Sequence, residues 1–263
     1  MKKILLTLSL LFVFISCSSK KNYEVIRLGY IGEFDVEIWE SLGSELKSKK
    51  IVLELIPFSD YSALNRALNS KYIDLNHFQH YAYFIDETNK NDYYLGIVDR
   101  TFIASMNIYS RNITNLSQLS LESKIAVPKD HVNFSRALKI LESVGLLKLY
   151  NNNDVNYNFT TNDIIENSLN LELVAIDANN IYSAISSVDA AIVNYNYNFD
   201  FKNENVLYSD DPSKYYSDMY INLIVSRLED VNNVIYKIIA DTYKNRVKKL
   251  VESGKLKGII LNY

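Results

Sequence analysis

The 263-residue chain is 48% hydrophobic and 22% charged, with 28 basic against 31 acidic residues. That composition excludes wholesale disorder and fibrous structure, and a net charge of -3 leaves no basic excess to neutralise a phosphate backbone, so nucleic acid is not the expected partner. Seven glycines and three prolines supply no G-x-G-x-x-G or Walker loop. No nucleophile–base pair stands at a recognisable spacing, so enzyme chemistry is not expected and no cofactor is called for.

In chain order, Lys2 and Lys3 precede an apolar run of 12 residues, Ile4 to Ile15, of signal-peptide length and too short to span a bilayer comfortably. Ser16 and the single cysteine, Cys17, follow. The run ending in Ile15-Ser16-Cys17 resembles a bacterial lipobox, with Phe14 where leucine is usual. Residues 1–16 are therefore read as a signal peptide, Cys17 as the lipidation site and 17–24 as a polar tether, which places the protein outside the cytoplasm on a membrane. An ordinary secretory signal with an incidental cysteine is the plainer alternative. With Cys17 lipidated, neither a disulfide nor thiol catalysis remains.

Val25–Tyr30 reads as a strand. Val36, Ile38, Trp39, Leu42 and Leu46 give an apolar stripe that predicts one helix over 35–49. Ile51–Ile56 is a strand, and Tyr61–Asn69 a helix capped by Ser59 or Asp60. Residues 73–75 form a short buried strand, 82–89 a helix, and 95–98 the start of another strand. The pattern then restarts: strand-like 102–109, a short helix or turn at 116–121, strand 124–128, helix 133–144 ending at Gly145, a polar surface loop at 151–158, strand 171–176, helix 181–187 and strand 190–194. Strand 220–226 and a long helix, 232–252, close the chain. Such alternation predicts an α/β fold with mainly parallel sheets in two lobes. Lobe 1 is expected over 25–106, lobe 2 over 107–205, and a return to lobe 1 over 206–263.

Three stretches carry a resemblance. Asp74-Leu75-Asn76-His77-Phe78-Gln79-His80 is close to D-x-N-x-F-Q-H. Ile125-Ala126-Val127-Pro128-Lys129-Asp130, then Asn133 and Arg136-Ala137-Leu138, is close to I-A-x-P-N-D-x-x-N-x-x-R-A-L. Val188 to Asn194, followed by Asn196-Tyr197, is close to D-A-A-x-x-N-x-N-Y. In that order and register the sequence resembles the methionine-binding lipoproteins of the NlpA type, substrate-binding proteins of ABC importers. The resemblance implies a two-lobed type II periplasmic-binding-protein fold that closes over a free amino acid, most simply methionine, and delivers it to a permease driven by an ATPase on another chain.

The resemblance also implies a site. Arg136 offers a planar fork to a carboxylate. Asn133, Asn194, Asn196 and Asn222 have amides that both donate and accept, as a zwitterion requires. Tyr61, Phe78, His80 and Tyr83 are polarizable walls for a thioether, with Phe78, His80 and Tyr83 expected just beyond a strand end. Taken alone, each asparagine is equally a turn residue, each tyrosine a core residue and Arg136 a partner for a carboxylate of the protein itself. His77 and His80 also form H-x-x-H, which with further carboxylates would suit a metal; no metal ligand is assigned.

The sequence departs from the resembled pattern in places. Phe34-Asp35 stand where Pro-His is usual, after Gly32-Glu33. His77 replaces a common Tyr, and Tyr195 replaces a small residue between Asn194 and Asn196. These changes fall on the walls that choose a side chain and leave the amino-acid clamp intact. The alternative function is a surface lipoprotein of the same fold, with another amino acid, a small peptide or a metal as ligand, or with a non-transport interaction role.

Overall fold

The structure is a computed structural model describing residues 23–150, 158–211, 217–256 and 258–261. The signal peptide, Cys17 and most of the expected 151–158 loop lie outside the described residues.

The first half of the chain runs β1 (Glu24–Tyr30), α1 (Glu33–Ser41), α2 (Gly43–Ser48), β2 (Ile51–Pro57), α3 (Tyr61–Asn69), β3 (Leu75–His80), α4 (Tyr81–Asn91) and β4 (Leu95–Ala104). It continues with β5 (Asn107–Ser110), β6 (Lys124–Pro128), α5 (His131–Ser143), β7 (Lys148–Leu149), β8 (Ile164–Glu166), β9 (Glu172–Ile176), α6 (Ile181–Ala184), β10 (Ala190–Val193) and β11 (Asn205–Ser209). Then come β12 (Ile221–Arg227), α7 (Val234–Glu252) and β13 (Ile259–Ile260).

Two main sheets result. The first has the order β13-β4-β12-β3-β1-β2, and the second β11-β5-β10-β6-β9. Each has a parallel core: β1 with β2 and β3, and β6 with β9 and β10. The first sheet also has two strands running the other way, β12 and β13, and the second has one, β5, so both sheets are mixed where mainly parallel ones were expected. β12 is inserted antiparallel between β3 and β4, and β5 lies antiparallel between β10 and β11. Both are the first strand the chain lays down after it changes sheets, so the antiparallel insertions follow from the two crossings. The first crossing lies between Ala104 and Asn107, the second between Ser209 and Ile221. Because Val206 and Tyr208 pair with β5, the second sheet extends to Ser209, past the expected boundary at 205.

Helices cover both faces of each sheet. In the first lobe, α1, α2 and α7 bury Leu28, Trp39, Ile224 and Tyr243 on one side. On the other, α3 and α4 bury Ile31, Leu64, Leu68 and Phe78. The second lobe packs α5 over Ile108, Ile125 and Ile192, and α6 over Ala126 and Val193.

Local signals account for most boundaries. Asp60 Oδ1 accepts from the Ala63 N–H at 3.0 Å and starts α3. The single helix expected over 35–49 is two, broken at Leu42, where the backbone closes a tighter turn onto Trp39. Gly43 follows the break and has no neighbour that would meet a side chain, so its contribution is a low helix propensity. The strand expected at 73–75 is β3, and it runs to His80 with all six residues buried. Its polar side chains are tolerated because they bond one another. Asn65 of α3 accepts from Asn76 at 3.0 Å and from Gln79 at 2.8 Å, and donates to Gln79 at 2.9 Å.

At the start of β3, Asp74 joins three strands. Its carboxylate accepts from the Arg27 backbone N–H at 3.0 Å and from the Arg27 guanidinium at 2.8 and 2.9 Å, with Arg227 at 3.5 Å. Burial alone would raise the Asp74 pKa, but the hydrogen bonds and charge of Arg27 outweigh it and hold the carboxyl below its ordinary value. A lowered carboxyl pKa contributes stability that is present above the unfolded value, about 3.9, and lost as pH falls through the folded one. Asp74→Asn should therefore lower the urea midpoint clearly at pH 7 and progressively less below about pH 4. Equal losses at pH 7 and pH 3 would rule out an ionic contribution.

Candidate functional site

The facing ends of the two sheets flank a cleft. All nine residues singled out from the sequence line it. Tyr61 comes from α3, Phe78 and His80 from β3, Tyr83 from the first turn of α4 and Asn222 from β12, all in the first lobe. Asn133 and Arg136 come from α5, and Asn194 and Asn196 from the end of β10, in the second. Gln79, Ala104 and Tyr195 complete the lining. Phe78 and His80 lie within β3, not beyond a strand end as expected.

One wall is aromatic. The Tyr61 ring centroid lies 5.6 Å from those of Phe78, Tyr83 and Tyr197, and Phe78 lies 6.0 Å from Tyr83 edge-on. Burial raises the pKa of both Tyr61 and Tyr83 far above the phenol value, so both stay neutral.

The other wall is polar and centred on Asn133. His80 caps α4, its Nδ1 accepting from the Tyr83 N–H at 3.2 Å. Nδ1 is thereby an acceptor, so the ring proton sits on Nε2 and is donated to Asn133 Oδ1 at 3.1 Å. Asn194 Nδ2 donates to the same oxygen at 2.8 Å. Asn133 in turn donates from Nδ2 to the Asp130 carboxylate, which also caps α5 by accepting from the Asn133 backbone N–H at 2.9 Å. Asn133 therefore positions its neighbours, with both lone pairs of its carbonyl used. Asn194 Oδ1 is different: it is buried and accepts no hydrogen bond among the described residues. Asn196 Oδ1 accepts from the Tyr61 hydroxyl at 3.3 Å, and Asn222 Nδ2 donates to the Phe102 carbonyl at 3.3 Å.

Arg136 is buried and committed in part to the protein. Its Nη2 donates to Asp210 Oδ2 at 2.8 Å and to the Ala104 carbonyl at 2.9 Å, and the guanidinium lies 4.4 Å over the Tyr220 ring. The side chains of Arg136 and Asp210 are 4% and 0% exposed, so both charges are removed from water together. This corrects the picture of a fork presented whole to a ligand. The sequence singles out neither Asp210 nor Tyr220 as a site residue: Asp210 stands in a polar stretch without periodicity, and Tyr220 opens the strand expected over 220–226.

His77 does not join His80. It packs inside the first lobe against Trp39 at 5.7 Å and Tyr243 at 4.8 Å, with Nδ1 3.3 Å from Asp35 Oδ2. Its Nε2 meets the Thr101 hydroxyl at 3.0 Å, and Thr101 donates to the Asn222 carbonyl at 3.0 Å. His131 meets Asn158 at 3.1 Å. The three histidines are thus dispersed, and His77 and His80 do not meet in one site.

Burial, and then the nearby Arg136 charge, lowers the His80 pKa to about 3. The ring is neutral at physiological pH, and its proton uptake on unfolding makes stability fall as pH drops from about 6.5 towards 3. Nitrogen-15 NMR should show His80 as the Nε2–H tautomer with no titration between pH 5 and 8. A midpoint inside that window would refute the assignment.

The profile of the NlpA lipoprotein family matches residues 26–261. The D-methionine-binding lipoprotein MetQ of Salmonella typhi is 30% identical over 91% of this chain and 90% of its own. A solved nutrient-binding protein from Burkholderia cenocepacia bound to methionine superposes with a TM-score of 0.81 at 28% identity, covering 90% of this chain and all of the other. An ABC transporter periplasmic substrate-binding protein from Coxiella burnetii gives 0.79 at 29% identity, over 90% of this chain and all of that one. The fold is therefore that of the two-lobed periplasmic substrate-binding proteins, and the chain belongs to the NlpA lipoprotein family.

Proposed function

We propose that the cleft captures a free amino acid, methionine, for delivery to an ABC permease and its ATPase, and that a lipid on Cys17 holds the protein at the membrane. The observation that carries the reading is a polar wall of donors and acceptors facing an aromatic one. Charged N–H donors of Arg136 and amides that both donate and accept suit a zwitterion, whose carboxylate needs donors and whose ammonium needs acceptors. Asn194 Oδ1, buried without a donor, is a natural acceptor for the ligand ammonium. Arg136 provides charged N–H donors for the ligand carboxylate. Tyr61, Phe78 and Tyr83 give the apolar, polarizable surface that a thioether packs against. The relatives named for methionine support the choice of side chain.

Calorimetry on protein stripped of endogenous ligand tests this with methionine and a small amino-acid panel. Asn194→Ala and Arg136→Lys should weaken every amino acid the wild type binds, by about tenfold or more, since all share the backbone groups these residues face. Phe78→Ala should instead change the ranking within the panel. Wild-type protein that binds no amino acid would overturn the proposal.

The anchor has a separate test. Cys17→Ala should move the protein out of the membrane fraction or leave it unprocessed. A variant that is still processed and membrane-bound would show that Cys17 carries no anchor.

A further inference from the structure

We propose that Tyr195 is a latch between the lobes: a positioning residue that holds Asn194 and Asn196 at the cleft and slows loss of a captured ligand. Only the ligand-release half of this rests on the amino-acid reading above.

Tyr195 leaves β10, a strand of the second sheet, yet its ring is packed in the first lobe. It lies edge-on to Phe34 at 4.5 Å and to Phe102 at 5.7 Å, against the core built around Trp39 and Tyr243. The next residues confirm where this segment docks. A side chain at Gly32, at the start of α1, would meet the Asn196 carbonyl oxygen at 1.9 Å, so the two backbones touch. The Tyr197 hydroxyl donates to the Ser59 carbonyl at 3.1 Å. Downstream, Phe201 is fixed in the second lobe, 5.0 Å from Tyr109. Residues 195–197 are thus the reach of the second lobe into the first, and the cleft amides Asn194 and Asn196 flank the inserted ring.

The socket is built around a buried polar group. Asp35 accepts from the Tyr243 hydroxyl at 3.1 Å and faces His77 at 3.3 Å. Tyr195 lies close enough to feel the Asp35 charge, but its own hydroxyl is buried with no hydrogen-bond partner among the described residues. Ring and hydroxyl therefore act in opposite senses. Separating the lobes withdraws an aromatic ring from an apolar socket, which favours closure. Closing strips the hydroxyl of solvent without a replacement bond, which opposes it. The ring holds the lobes together and the hydroxyl keeps the hold reversible.

The test uses spin labels at Lys47→Cys and Lys148→Cys, one exposed site on each lobe, with Cys17→Ser. Interlobe distances are read by electron double resonance with and without methionine, and methionine dissociation by stopped flow on the single tryptophan, Trp39, at the socket. Tyr195→Ala should reduce the closed population of stripped protein about tenfold or more, and speed dissociation by a similar factor. Tyr195→Phe should do the reverse, giving more closed form and slower release than wild type. A residue of merely structural importance would not improve on losing its hydroxyl. Unchanged distances in Tyr195→Ala would overturn the latch whether or not methionine binds, and Tyr195→Phe behaving like Tyr195→Ala would overturn the role of the ring. Failure of the wild type to bind methionine would overturn the ligand reading alone.

Discussion

A guanidinium removed from water needs a counter-charge, and where that counter-charge sits decides how this molecule is held together. Arg136 belongs to α5 in the second lobe. Its Nη2 donates to the carbonyl of Ala104, the last residue before the chain first changes sheets, and to the carboxylate of Asp210, the first residue after β11 as the chain turns back. One side chain thus gathers both crossings at the floor of the cleft. Breaking the pair would leave an unbalanced charge in a dry interior, the expensive case for buried ions. The strands inserted against the parallel grain right after each crossing, β5 in one sheet and β12 in the other, start from the segments this pair pins.

Around that pair, polarity is handled by saturation. His80, Asn133, Asn194 and Asp130 form a relay in which each donor meets an acceptor, ending in the caps of α4 and α5. Asn65, Asn76 and Gln79 do the same beneath it. Amides locked in such networks are preorganised, so capture does not have to order them. The exception within that relay is Asn194 Oδ1, buried and accepting no hydrogen bond among the described residues.

Much of this was legible in the sequence, and for identifiable reasons. The helix over Tyr61–Asn69 is observed at its expected limits because an apolar stripe coincides with an Asp cap. The nine cleft residues converge because the facing ends of the two sheets bring their motifs together. β3 was read short, since Asn, His and Gln in a row do not look like a buried strand; only the partners in α3 make that composition affordable. The grain of the sheets could not be read because alternation of helices and strands is silent about a strand inserted after a crossing. Asp210 is one acid in a polar stretch, with no local mark of its burial. The departures at Asp35, His77 and Tyr195 were visible one by one, but their meeting in a single socket is a property of the fold.

The tail of the chain has a mechanical meaning. β13 pairs with β4, and just before it the Gly258 carbonyl accepts from the backbone N–H of Ser105, within the first crossing, at 3.0 Å. Gly258 has φ 72°, and a side chain there would approach the Ser105 hydroxyl to 2.7 Å. The carboxyl end is therefore stitched onto the segment that must flex whenever the lobes move. Any bulky group fused to that end would load the joint directly, whereas the chain enters the same sheet on β1, on the far side from β4 and β13.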